Sequence, residues 1–167
     1  MVDDDLEQAL LNFIKEKEWL ILCLGNELKA DDSIGIFIGN SLLEHHPELS
    51  EKVIIAYNVP ASFLGKIVKV NPERILAIDA AAFGENPGVI GLFDTDIIQE
   101  KSNTTHFQEY ETILKFLQME TGHEIFCKVL AIQVQTTELV APISDPVKSA
   151  ADKVINILSS ILMKNDI

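Results

Sequence analysis

Unbroken apolar runs are the feature that most constrains how this chain folds. Residues 19–24 read WLILCL, contain no polar side chain and end at Gly25. A strand with one face in water alternates apolar and polar side chains, so an unbroken run predicts a strand that is buried on both faces. Four further apolar runs follow, VIIAY (53–57), ILAI (75–78), VIGLF (89–93) and IFCKVLAIQV (125–134), and only the last contains a charged residue, Lys128. These runs predict a sheet covered by helices on both sides.

Segments with helical periodicity separate most of these runs. Apolar residues recur at helical spacing in five segments: 6–15, 33–43, 61–70, 106–119 and 145–163. The alternation predicts an α/β fold, a three-layer α/β/α sandwich, in a single domain over residues 1–167. Only about ten residues separate the third and fourth strands, and a parallel crossover needs a dozen or more. The predicted five-stranded sheet is therefore mostly parallel, with strand four antiparallel to strand three.

Charge and composition exclude several classes of function. The chain of 167 residues has 13 Lys and Arg against 26 Asp and Glu, a net charge of -13. Such a surface repels phosphate backbones and anionic membranes, so we expect no nucleic-acid partner. No apolar stretch reaches the roughly 20 residues that span a bilayer, so membrane insertion is not expected. A basic protein segment is a more natural partner.

The start of the chain and its cysteines predict a location. The first residues, MVDDDLEQ, are acidic, whereas a secretory signal peptide begins with basic residues. Cys23 and Cys127 lie inside apolar runs, where small buried thiols suit a reducing compartment. We therefore expect a cytoplasmic protein.

Polar side chains follow the predicted parallel strands at the ends where functional groups gather in such sheets. Asp31 and Asp32 come shortly after strand one, and Asp79 directly follows strand three. If strand four runs away from that edge, residues 94–105 must return the chain to it. His106 would then open the next helix at the same edge. The sequence thus predicts that three segments converge, with Asp31 or Asp32, Asp79 and His106 at one edge.

Each of these residues also has an ordinary structural interpretation. Asp31 or Asp32 could cap the following helix, a contribution of about 1 kcal/mol, while the other faces the cleft. Asp79 could accept hydrogen bonds from loop N–H groups, and His106 could simply pack at a helix start. Together, however, two carboxylates and an imidazole kept neutral by a helix N-terminus form a nitrogen and oxygen site for a divalent transition metal such as nickel or zinc.

Other chemistries find no support in the sequence. The turn after strand one lacks the Lys-Ser/Thr of a phosphate loop and the closely spaced glycines of a dinucleotide fingerprint. No Gly-x-Ser-x-Gly elbow or HExxH motif occurs, and a thiol in mid-strand, such as Cys23, is inert. The other histidines, His45, His46 and His123, are predicted at the opposite edge. So few ligands favour a metal ion that is loosely held or supplied by another molecule over a permanently bound metal centre.

Four segments together resemble those of the hydrogenase maturation endopeptidases. They read LCLGNELKADDSIG, ILAIDAAAFGENPGVIGLFD, TTHFQEYETILKFLQ and AIQVQTTELVAPISDPVKSAADKV, in this order and spacing. The resemblance extends from residue 19 to about residue 161. It implies an α/β/α sandwich with one antiparallel strand. It also implies an endopeptidase that removes a C-terminal peptide from the large-subunit precursor of a nickel-iron hydrogenase, once nickel has been inserted.

The resemblance also implies roles for individual residues. Asp32, Asp79 and His106 occupy the positions that bind metal in the family, and we interpret them as the catalytic and metal-binding set. The metal is the nickel carried by the substrate, so no tightly bound metal of the protein's own is expected. A metal-polarised carbonyl or a carboxylate-activated water would then drive hydrolysis. The sequence names no nucleophile.

One segment departs from the family pattern, and two rival functions share the same residues. Many relatives have Gly-Gly-Thr/Ser after strand two, whereas residues 57–62 here read YNVPAS, which is stiffer and bulkier. The first rival function is that of a non-catalytic chaperone, which binds the nickel-loaded subunit through the same site. The second is that of an unrelated hydrolase that uses its own metal on a small substrate.

Overall fold

The computed structural model describes residues 3–15, 17–102 and 106–164 of the chain. Within these residues, strands and helices alternate as the sequence predicts. The strands are β1 (Trp19–Leu24), β2 (Val53–Tyr57), β3 (Arg74–Ala81), β4 (Ile90–Asp94) and β5 (Phe126–Gln133). The helices are α1 (Asp3–Ile14), α2 (Ile34–His45), α3 (Leu64–Val70), α4 (Thr95–Lys101), α5 (His106–Thr121) and α6 (Asp145–Lys164). No helix in this part of the chain is long and apolar enough to cross a membrane.

The five strands form one sheet in the order β2-β1-β3-β5-β4. β1 pairs in parallel with β2 and β3, and β3 pairs in parallel with β5. β4 lies at one edge and runs antiparallel to β5, with Ile90 opposite Ile132 and Asp94 opposite Lys128. The predicted architecture is therefore confirmed, including the reversed direction of strand four. Its hydrogen-bonded neighbour is β5 rather than β3.

The run in β1 shows why the sheet is covered on both faces. Trp19, Ile21 and Cys23 contribute to one core with residues of α1, α2 and α6. The alternate residues of β1 contribute to a second core with residues of α3, α4 and α5. Because successive side chains of a strand point to opposite faces, every position of β1 is buried. The result is the predicted three-layer sandwich.

Two local features differ from the predictions. α4 lies within residues 94–105, a segment predicted only as a returning connection; seven residues are too few for helical periodicity to show. β3 continues to Ala81, two residues beyond Asp79, so Asp79 lies inside the strand rather than at its end. Backbone pairing with β5 extends this strand past its apolar run.

The path of the chain brings the start of α5 to the carboxyl edge of the parallel strands. β4 ends near the beginning of β5, and α4 follows it directly. α5 also ends near the beginning of β5, where the Gln118 amide donates to the carbonyl of Ile125. Its 16 residues span about 24 Å, close to the length of an eight-residue strand. The helix therefore begins, at His106, near the level of the strands' carboxyl ends.

Candidate functional site

The turn after β1 holds the backbone of Asp32 in place. Gly25 has φ 145°, and a Cβ at this position would lie 2.2 Å from the carbonyl oxygen of Asp32. That carbonyl accepts a hydrogen bond from the N–H of Asn26 at 3.0 Å, and the N–H of Asp32 donates to the carbonyl of Lys29 at 2.8 Å. The tight turn thus requires glycine at position 25 and fixes the backbone position of Asp32.

The first turn of α2 lies directly on two strands, at the end of β1 and beside Asp79 in β3. A Cβ at Gly35 would lie 2.1 Å from the carbonyl oxygen of Leu24 and 2.5 Å from that of Ile78. Leu24 ends β1, and Ile78 precedes Asp79 in β3. Because Asp32 is three residues before Gly35, this close approach brings Asp32 and Asp79 to the same part of the carboxyl edge.

Asp79 is buried in the sheet and points toward one layer of helices. Its carboxylate accepts a hydrogen bond from the N–H of Ala80 at 2.8 Å, which fits the structural interpretation of a carboxylate bound to local N–H groups. Asp79 alternates with Ile78 and Ala80, which face the core of α1, α2 and α6. Its side chain therefore points to the opposite face, which α5 covers.

His106 is the first residue of α5, as predicted, but its side chain lies outside the described residues. Thr104 and Thr105 lie wholly outside the described residues. Among the described residues, no group of three or more His, Cys, Asp or Glu side chains is arranged to hold a metal ion. The convergence of the imidazole with Asp32 and Asp79 stays a prediction, consistent with the path of the chain.

Asp31 has a role that the sequence did not suggest. Its buried carboxylate accepts four hydrogen bonds, from the N–H groups of Gln135, Thr136 and Ser144 and from the Ser144 hydroxyl, at 2.7 to 3.0 Å. Its own N–H donates to the carbonyl of Thr136 at 3.2 Å. The interpretation of Asp31 as a helix cap is therefore wrong, because it clamps the β5–α6 segment onto the β1–α2 turn. Asp32 is the partly exposed member of the pair.

Gln133 is a second structural residue that the sequence did not indicate. This side chain is buried at the end of β5. Its amide oxygen accepts hydrogen bonds from the N–H of Phe83 at 2.8 Å and of Glu85 at 3.2 Å. It thereby holds the connection between β3 and β4 close to Asp79. A polar side chain among the apolar residues 129–134 is the signal that could have identified it.

Strained backbone is concentrated at the carboxyl edge. Three non-glycine residues there have positive φ: Ala30 at 29°, Tyr57 at 54° and Val140 at 61°. Such conformations cost about 1–3 kcal/mol each and cluster at functional sites. At Tyr57, which ends β2, the chain thus adopts a glycine-like conformation without glycine. The carbonyl of Tyr57 accepts a hydrogen bond from the N–H of Gly25 at 3.0 Å.

The remaining candidates lie where the sequence predicted. Burial raises the pKa of the Cys23 thiol to about 12, so the thiol stays protonated and inert. His45 is exposed at the end of α2, and His123 lies beside Asn71 at the opposite edge of the sheet. A groove of about 1150 Å³ between the ends of α2 and α6 contains His45 and His46. It is remote from Asp32 and Asp79.

The sheet is mostly parallel and covered by helices, and two carboxylates lie at its carboxyl edge, Asp32 after β1 and Asp79 within β3. These features define a three-layer α/β protein with an acidic site. Comparisons with known proteins identify the family. A model of the hydrogenase maturation protease family matches residues 40–161. The hydrogenase 3 maturation protease of Escherichia coli is 30% identical over 136 residues, which cover 81% of this chain and 85% of that protein.

Solved structures give the same result. The hydrogenase maturation protease HycI of Thermococcus kodakarensis superposes with a TM-score of 0.77 over 93% of this chain and 99% of its own; at 22% identity it supports the fold alone. The protease HybD of the same organism is 27% identical, with a TM-score of 0.68 over 85% of this chain and 97% of its own. The chain belongs to the hydrogenase maturation protease family. It is accordingly a hydrolase, an endopeptidase of hydrogenase maturation, as the resemblance predicted.

Proposed function

We propose that this endopeptidase removes a C-terminal peptide from the nickel-loaded large-subunit precursor of a nickel-iron hydrogenase, and that it recognises the nickel carried by that substrate. The observation that carries the proposal is the close packing of α2 on the end of β1 and on Ile78 of β3. This packing brings Asp32 and Asp79 to one edge of the sheet, and α5 begins with His106 near the same level.

The donor atoms suit a metal that arrives with the substrate. Carboxylate oxygens and an imidazole nitrogen are suitable ligands for nickel. Asp32, Asp79 and His106 would supply only part of a coordination shell, and the precursor would supply the rest. Such a partial shell makes nickel in the precursor a condition for productive binding. It also means that the protein needs no tightly bound metal of its own.

Asp32 is the better placed of the two carboxylates to handle a water molecule. It is partly exposed, whereas Asp79 is buried. A carboxylate within hydrogen-bond reach of a water can take its proton as the water attacks a peptide carbonyl. In this proposal, Asp79 and His106 orient the metal-bearing end of the precursor, and Asp32 also faces the scissile bond. We place the reaction in the cytoplasm, where the two free thiols would stay reduced.

The test uses purified protein and two preparations of the precursor, one loaded with nickel and one free of it. Mass spectrometry should show that only the nickel-loaded precursor is shortened. Asp32→Asn and His106→Ala should each reduce the rate at least a hundredfold, with unchanged thermal unfolding, because each removes a ligand. Asp96→Asn and His45→Ala are the matched controls. They change an exposed Asp and an exposed His outside the site and should keep full activity.

The outcomes separate the proposal from its rivals. A stable complex with the nickel-loaded precursor, without shortening, would support the non-catalytic chaperone instead. Equal shortening of the nickel-free precursor would contradict recognition of substrate nickel. Normal processing by Asp32→Asn or His106→Ala would remove that residue from the essential set.

A further inference from the structure

Three exposed apolar side chains lie on two paired segments at the carboxyl edge. Leu28, Leu139 and Val140 are 65%, 68% and 87% exposed. Lys29 pairs with Leu139 in an antiparallel bridge, and the N–H of Val140 donates to the carbonyl of Leu28 at 2.8 Å. Two segments that are distant in sequence are thus joined by backbone hydrogen bonds. We name Leu28, Leu139 and Val140 the apolar rim.

The apolar rim is attached to the candidate site. Leu28 belongs to the same turn as Asp32, and the Leu28 N–H is bound by the side chain of Asn26 at 3.0 Å. The segment that carries Leu139 and Val140 is held at both of its ends by the carboxylate of Asp31. A molecule that reaches Asp32 along this edge therefore meets the apolar rim.

Val140 is difficult to explain by folding alone. Its φ of 61° lies in the left-handed region, where a β-branched side chain is strained. Glycine would adopt this conformation freely, and a polar residue would suit its exposure better. A side chain that strains the backbone and packs against little of the core points to a contact with another molecule.

Charge indicates the kind of partner. Exposed Glu27 precedes Leu28, and exposed Glu138 precedes Leu139, with Lys29 as a cation between them. The whole chain carries a net charge of -13. A partner segment with apolar side chains next to basic ones would complement both the rim and its acidic flanks.

We infer that the apolar rim is the docking surface for an apolar segment with neighbouring basic residues in the large-subunit precursor, close to the bond that is cut. This inference rests on the proposed function, because it takes the precursor as the occupant. It adds a binding surface, separate from the metal ligands, that would select the polypeptide rather than the nickel.

Binding of the fluorescently labelled, nickel-loaded precursor tests the inference apart from cleavage. The variant Leu28→Ser/Leu139→Ser/Val140→Gly should raise the Kd about tenfold, because several apolar contacts are lost. When cleavage is followed, KM should rise in parallel while kcat stays within about twofold. Met119→Ser/Met163→Ser is the matched control, since these side chains are 82% and 72% exposed elsewhere on the molecule. Its Kd should equal that of the unchanged protein.

Val140→Gly alone guards against a folding artefact. Glycine relieves the strained φ, so this variant should unfold at the same or a higher temperature while it binds the precursor more weakly.

An unchanged Kd for the triple variant would overturn the inference. The proposed function would still stand in that case if Asp32→Asn lost cleavage. If the triple variant instead converted a dimer to a monomer and kept its Kd, the apolar rim would be a self-association surface, and the inference would be wrong. If the triple variant binds the precursor more weakly, but the unchanged protein does not cleave it, the result supports the apolar rim and counts against the peptidase.

Discussion

Two adjacent aspartates in this chain have different surroundings. The carboxylate of Asp31 is buried and bound by four donors of the β5–α6 segment. Asp32 is partly exposed at the edge of the sheet. The first aspartate thus joins the two segments, and the second is the one to which the proposed function assigns contact with the substrate.

This division predicts opposite effects on stability and activity. Asp31→Ala should lower the free energy of unfolding by about 2–4 kcal/mol, because it leaves several partly buried donors without an acceptor. Asp31→Asn should cost less, since one carbonyl oxygen remains. Asp32→Ala should change the free energy of unfolding by less than about 1 kcal/mol while it removes processing. Urea unfolding of the three variants measures this, and a loss below 1 kcal/mol for Asp31→Ala would contradict the clamp.

The role of Asp31 could not be predicted from sequence because its partners lie more than 100 positions away. The local pattern, an aspartate just before a helix, suggests a cap. In the structure, the Ser33 hydroxyl at the start of α2 donates to the carbonyl of Ala30 at 2.7 Å, and Asp31 turns to the opposite segment. A local pattern identifies the residue, but only the tertiary fold identifies its partner.

The regular elements were largely predictable because local sequence dictates them. β1 and β2 have the predicted bounds, since each is an apolar run closed by a turn. α4 is not predicted, because seven residues show too little periodicity. β3 extends beyond its predicted end, because its pairing with β5 continues past its apolar run. The position of Asp79 relative to the strand end follows from that pairing.

The contact between α2 and the sheet provides a test at this scale. Gly35→Ala should destabilise the protein by about 1–3 kcal/mol and reduce processing, because the new methyl group meets two strand carbonyls and forces α2 away from Asp79. Gly65→Ala is the matched control in α3. It has open space around the new atom and should raise stability by up to about 1 kcal/mol. A fully active and stable Gly35→Ala variant would show that this close approach does not position the site.

At the scale of the whole molecule, the topology brings Asp32 and Asp79 to one edge of the sheet. The order β2-β1-β3-β5-β4 places β1 and β3 side by side at the centre, so the turn after β1 lies next to Asp79. After the reversed β4, α5 begins near the same edge and runs back to the beginning of β5. The sequence predicted this path from the short connection before β4, whereas the pairing of β4 with β5 requires the assembled sheet.

The central claim is that Asp32, Asp79 and His106 together bind the nickel of the substrate. Crystals of the protein with the nickel-loaded precursor, measured at the nickel absorption edge, test it most directly. We predict one anomalous peak in direct coordination with a carboxylate oxygen of each aspartate and with the imidazole of His106, and loss of that contact in Asp32→Asn. A nickel ion held by the precursor alone, with none of the three side chains among its ligands, would contradict the account.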